Sequence, residues 1–378
     1  MTRLAWLLPI LLCTCGPAQE SEENTTRYDK RVIELSDSTA LNLSQKIRSE
    51  ANVQLDGDLE LTLWASDSLV NDPIAISVAP DGRIFYTRAT RQRSSEFDIR
   101  GHRDWMTASL SFETVEDRRD FLRKTFAADS EQSERYLNDL NKDGVRDWRD
   151  LAVEKEQVWF VTDESKDGIA DRSQMYLEDF GDEITDVANG IEYADGEVYI
   201  SVGPDLWKTK DDDGDGIADE TTSLSHGWIV HVGFSGHGMS GVTVGPQGRI
   251  WWGAGDVGMN VVDKEGNQHK YPNRGTVVRC DPDGSNFEVF AMGVRNTHEF
   301  TFDDYGNLIT VDNDGDHSGE RERLVYLIDG SDSGWRINWQ FGKYTDPSNN
   351  DYKVWMDERM HLPREAEQAA YFLPAIQN

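Results

Sequence analysis

Four stretches of the chain alternate apolar and polar residues on both sides of a glycine turn. They are PIAISVAPDGRIFYT (residues 73–87), ANGIEYADGEVYISV (188–202), MSGVTVGPQGRIWWGAG (239–255) and HEFTFDDYGNLITVDN (298–313). A period of two places one side chain in the core and the next outside, so each stretch predicts a β-hairpin. The turn glycines are Gly82, Gly196, Gly248 and Gly306, spaced 114, 52 and 58 residues apart. A period of about 50 residues made of short strands is the signature of a propeller blade. The expected fold is all-β, a β-propeller of six blades in full, of which this sequence carries a part.

The wide first gap leaves room for an insertion, placed at about residues 95–155. Within it, ETVEDRRDFLRKTFAADSEQSERYLNDL (113–140) has helical spacing at Val115, Phe121, Leu122 and Phe126, with no Gly or Pro. It reads as a helical excursion on the surface. Residues 16–57 are polar and read as a tether, with the propeller spanning 58–378.

The first residues, MTRLAWLLPILLCTCGPAQESEE, place one Arg before an apolar run from Leu4 to Leu12. This is a secretory signal, too short to span a bilayer as a mature helix. Cys15 stands where a bacterial lipoprotein carries its lipid, although Thr14 before it leaves ordinary cleavage open. The expected location is the periplasm or cell surface, with the membrane reached only through this anchor. Beyond the signal only Cys280 remains, so no disulfide can form within the chain. No C-x-x-C-H sequence occurs, so the chain attaches no c-type haem. Seventy acids stand against 38 bases, a net charge of −32. Such a chain repels a phosphate backbone, which excludes nucleic acid as a partner.

Part of that acidity is spaced for a cation. DLNKDGVRDWRD offers Asp139, Asn141, Asp143, Asp147 and Asp150 at positions 1, 3, 5, 9 and 12, with Gly144 at 6. That is the pattern of an EF-hand-type Ca²⁺ loop, where glycine permits the turn that aims oxygens inward. DDDGDGIAD repeats it with Asp211, Asp213, Asp215 and Asp219, and DESKDGIAD, more weakly, with Asp163, Asp167 and Asp171. A solvated turn is the other reading, since Asp and Gly favour turns anyway. A fourth acidic run, with Asp312, Asn313, Asp314 and Asp316, lacks the glycine.

His237 lies between two glycines just before one blade's inner strand, and Arg295-Asn296 takes the corresponding place in the next blade. Asp256 ends the hairpin that follows His237. In a propeller such positions converge on one end of the central channel, bringing together a base, a guanidinium and an amide. A lone histidine in a glycine loop is more often structural, and Arg295 has many acids to pair with. Trp335 reads as core or as a platform for a sugar ring.

GHGMSGVTVGPQGRIWWGAGDVG, FAMGVRNTHEFTFDDYGNLITVDND and GSDSGW together resemble the quinoprotein glucose/sorbosone dehydrogenases, in particular the membrane-bound dehydrogenase type of planctomycetes. The resemblance covers residues 58–378, with Thr297 where the family has Pro. It implies pyrroloquinoline quinone (PQQ) as cofactor, held with Ca²⁺ at the channel mouth. It implies His237 as the base that takes a substrate hydroxyl proton, and Arg295, Asn296 and Asp256 as cofactor-side residues. It further implies a sugar or other alcohol as substrate and an external electron acceptor such as a c-type cytochrome. The rival reading is a non-catalytic, calcium-stabilised propeller that binds a glycan or a protein.

Overall fold

A computed structural model of the chain describes residues 31–313 and 323–337. Cys15 with the leader, and Asp314 and Asp316, lie outside these residues.

The first sheet holds β1 (Val32–Glu34), which precedes α1 (Asp37–Glu50), then β2 (Pro73–Val78) and β3 (Ile84–Arg88). Three helices follow: α2 (Met106–Ser109), α3 (Val115–Thr125) and α4 (Glu131–Tyr136). β4 (Glu156–Thr162) and β5 (Arg172–Asp179) complete the sheet, in the order β1-β5-β4-β3-β2. The second sheet is a meander of β6 (Ala188–Ala194), β7 (Glu197–Val202), β8 (Asp205–Lys210) and β9 (Glu220–His226). The third pairs β10 (Met239–Val244), β11 (Ile250–Ala254), β14 (Gly275–Cys280) and β15 (Glu288–Val294). A separate hairpin, β12 (Met259–Val262) with β13 (Gln268–Tyr271), interrupts it. The fourth holds β16 (Thr297–Phe302), β17 (Leu308–Asp312) and β18 (Arg323–Leu327), after which β19 (Ser331–Asp332) pairs in parallel with β15.

These sheets are propeller blades. In each, the first strand of the glycine hairpin is innermost, and these four strands lie side by side: β6 packs against β2 and β10, and β10 against β16. The four turn glycines all adopt positive φ, from +76° to +92°, which only glycine takes without strain. Each inner hairpin also carries a register shift near the start of its inner strand. Such bulges bend the strand and re-aim the residues before it. Between blades the cores are apolar. Phe85, Phe160 and Tyr176 of the first meet Ile191, Val198 and Ile200 of the second. Trp251, Val277 and Ala291 of the third meet Phe300, Leu308 and Val325 of the fourth.

Two expectations change. Residues 31–50, read as tether, form β1 and α1. β1 pairs antiparallel with β5, and Ser36 caps α1 through the Thr39 N–H. The buried side of this helix is small and partly polar, Ala40 and Ser44, so no apolar stripe announces it. The insertion is helical as expected, but it is not a surface excursion. Val115, Leu122 and Phe126 share one core with Trp105, Trp228 and Trp252. Two buried arginines fasten it to the approach to β6. Arg118 donates to the Ile184 carbonyl at 2.6 Å. Arg91 donates to the carbonyls of Leu151, Glu154 and Asp182 at 2.7–2.8 Å. A guanidinium this deeply buried needs acceptors for its donors; backbone carbonyls meet those of Arg91, whereas Arg118 Nε has no hydrogen-bond partner among the described residues.

Candidate functional site

The loops entering β10 and β16 bring the expected residues together. His237 and Asp256 are both buried, and His237 Nδ1 lies 2.9 Å from Asp256 Oδ1. The other oxygen of Asp256 accepts from Trp335 Nε1 at 2.7 Å. Its backbone N–H donates to the Arg295 carbonyl at 2.8 Å. Burial alone would raise the Asp256 carboxyl. The His237 imidazole, the Arg295 charge and the Trp335 donor outweigh it and hold the group below the usual carboxylate range. An ionised Asp256 fixes the Nδ1–H tautomer of His237. Nε2, which makes no hydrogen bond among the described residues, is then the proton acceptor.

Arg295 is almost fully buried, with its guanidinium carbon 5.5 Å from the centre of the Trp335 ring and Nη1 2.5 Å from Asn313 Oδ1. The Asp312 carboxylate accepts from the N–H of Arg295 at 3.2 Å and of Asn296 at 2.8 Å, which fixes this turn. Asn296 Nδ2 lies 3.0 Å from His298 Nε2, while its Oδ1 is buried with no hydrogen-bond partner. Close backbone approach makes the assembly possible. A Cβ on Gly255 would strike the carbonyls of His237 and Arg295, so only glycine lets the two loops meet there. A Cβ on Gly238 would strike the Asp186 carboxylate. The glycine beside His237 therefore makes room for this chain's own side chain.

Asp186 belongs to a neighbouring cavity of about 50 Å³ that also touches Glu96, Arg118 and Phe234. Burial raises the Glu96 carboxyl to about 8, and the nearby Asp186 carboxylate adds to the shift. The spacing of residues gave no sign of this acidic pair. Nor did it give the roles of Trp335 and Asp312, which only the fold brings to His237 and Arg295.

The three acidic loops share one internal pattern. In each, the first Asp accepts from the N–H of the glycine five residues on: Asp139 from Gly144, Asp163 from Gly168 and Asp211 from Gly216, at 2.8–3.1 Å. Asp143, Asp167 and Asp215 each accept from the N–H two residues on, at 2.8–2.9 Å. Asn141 and Asp213 do the same one step earlier. Asp150, Asp171 and Asp219 close the loops by accepting from N–H groups near the start. Asp147 stands apart. It is buried, caps the turn at Trp148 through the Arg149 N–H, and pairs with the Arg149 side chain. Among the described residues, Asp211, Asp213 and Asp215 place carboxylate oxygens within 4.8 Å of one another. No helix among these residues is long and apolar enough to cross a membrane.

The chain belongs to a family described only as a domain of unknown function (DUF7133), whose model matches residues 46–332. No curated protein matches it. Among solved structures it is similar to the PQQ-bound form of an aldose sugar dehydrogenase from Streptomyces coelicolor. That match has 12% identity and a TM-score of 0.41, covering 82% of this chain and 68% of the other. It is similar to a putative oxidoreductase (glucose dehydrogenase) from Thermus thermophilus, at 13% identity and TM-score 0.37, covering 70% and 65%. The PQQ domain of a pyranose dehydrogenase from Coprinopsis cinerea matches at 14% identity and TM-score 0.30, covering 45% of each chain. The chain thus spans about two thirds or less of the length of these structures.

Proposed function

We propose that the chain is an exported quinone-dependent dehydrogenase that oxidises a sugar or other alcohol and passes the electrons to an external acceptor such as a c-type cytochrome. The observation that carries this reading is the His237–Asp256 pair, set with Arg295 and Asn296 at the entry to two adjacent inner strands. His237 Nε2 takes the proton of the substrate hydroxyl, and Asp256 stabilises the imidazolium that results. The Arg295 guanidinium and the Asn296 Nδ2 would donate to the quinone oxygens, while the unpartnered Asn296 Oδ1, an acceptor, would take an N–H or O–H of the bound ligand. When bound, PQQ would supply the two-electron acceptor.

In this reading the acidic loops bind Ca²⁺, with Asp211, Asp213 and Asp215 the best-formed set. The leader directs export, and Cys15 carries a lipid that holds the protein at a bacterial membrane. The test is reconstitution with PQQ and Ca²⁺, followed by dye reduction with a panel of aldoses and alcohols. Substrate-dependent reduction that His237→Ala abolishes supports the proposal. Reduction that survives His237→Ala removes His237 as the base. Quinone binding without any reduction leaves the non-catalytic, ligand-binding propeller.

A further inference from the structure

The segment that carries His237 contains Gly233, Gly236 and Gly238 within six residues and belongs to no strand. Left to itself such backbone is free, because glycine surrenders the most conformational entropy on ordering. Asp256 fixes the imidazole but not the chain that bears it. Something else must hold residues 233–236.

The insertion does so. The Ile99 N–H donates to the Gly233 carbonyl at 2.9 Å. The Ser235 N–H donates to Asp98 Oδ2 at 3.2 Å, and Ser235 Oγ to Glu96 Oε1 at 3.2 Å. Asp98 is itself fixed. It accepts from the Arg100 N–H at 2.8 Å and from the Arg100 guanidinium at 2.6–3.0 Å. That guanidinium lies over the Phe234 ring, 4.7 Å from its centre. The Phe234 ring in turn meets the His237 ring edge-on, with centres 5.2 Å apart. Hydrogen bonds and a stacked cation thus secure three successive residues, 233–235, directly before the imidazole.

We infer that residues 96–100 of the insertion form a clamp that positions His237, with Asp98 and Arg100 as positioning residues. The inference rests on the proposed role of His237, but its first readout needs no turnover. Side-chain NMR of isotope-labelled histidine, assigned with His237→Gln, would follow the His237 imidazole in Asp98→Ala and Arg100→Ala. Arg146→Ala is the control, since it breaks an exposed ion pair with Glu134 in the same insertion. The His237 signal is expected to broaden or split in both clamp variants and to stay unchanged in the control, while His269 stays sharp in all three. In turnover, kcat should fall on the order of tenfold with KM within about twofold, because a misplaced base costs rate before affinity. Arg100 is largely exposed, so its variant carries the test even where Asp98→Ala does not fold. An unchanged His237 signal in a folded Arg100→Ala protein overturns the clamp, whatever the enzyme does. A perturbed signal in a protein that oxidises nothing keeps the clamp and removes the dehydrogenase.

Discussion

The chain uses carboxylates in two opposite settings. Asp256 and Asp312 are buried, and each accepts hydrogen bonds from neighbouring residues: Asp256 from His237 and Trp335, Asp312 from two backbone N–H groups. Asp211, Asp213 and Asp215 lie at the surface, close together and facing like charge. A buried carboxylate must be paired or it does not stay ionised, so the first setting fixes its geometry from within the protein. Clustered surface carboxylates are tolerated in water but gain most from a cation. One setting is preorganised, and the other is responsive.

The largest effect expected from this contrast is at Asp256. Asp256→Ala removes the buried acceptor of His237 Nδ1 and Trp335 Nε1, and should cost roughly 1–3 kcal/mol for each of these donors in denaturant unfolding. Any dye reduction should fall on the order of 10²–10⁴-fold with it. Conversely, since the native Asp256 carboxyl lies below its unfolded value, its stabilisation is present above the usual carboxylate range and is lost as pH falls through the native value. A second, smaller effect belongs to the loops. Saturating Ca²⁺, at about a hundredfold excess over Kd, should stabilise the fold by about 2.7 kcal/mol per site. A chelator should reverse it, and Asp213→Asn with Asp215→Asn should reduce it. A melting temperature indifferent to Ca²⁺ makes the loops plain turns. A third effect is a slope with pH. Glu96 is held near 8 by burial and by Asp186, so its native pKa exceeds its unfolded one. Its contribution is full below about 4.5 and is lost as pH rises towards 8. Glu96→Gln should flatten stability over that window.

The same contrast separates what the sequence could show from what it could not. The turn glycines were legible because a positive φ leaves few alternatives to glycine, and all four sit where the hairpins turn. The His237–Asp256 pair was within reach because 19 residues and one hairpin separate them. Trp335 is 79 residues from Asp256, and Ser235 is 139 from Glu96, so no local pattern joins them. The depth of the insertion was hidden for a related reason. Its helix is highly charged, and its apolar residues find their partners in blades far along the chain. Even Asp147, which fits a calcium spacing, is turned aside by the arginine two residues on, because a cap and an ion pair there satisfy both of its oxygens.

In the proposed function the paired His237 and the adjoining Arg295 and Asn296 form a quinone site. Absorbance titration of PQQ into the protein with Ca²⁺ tests it most directly. A quinone site gives a spectral change that saturates at one equivalent. A signal that rises linearly, as free quinone alone would give, contradicts it.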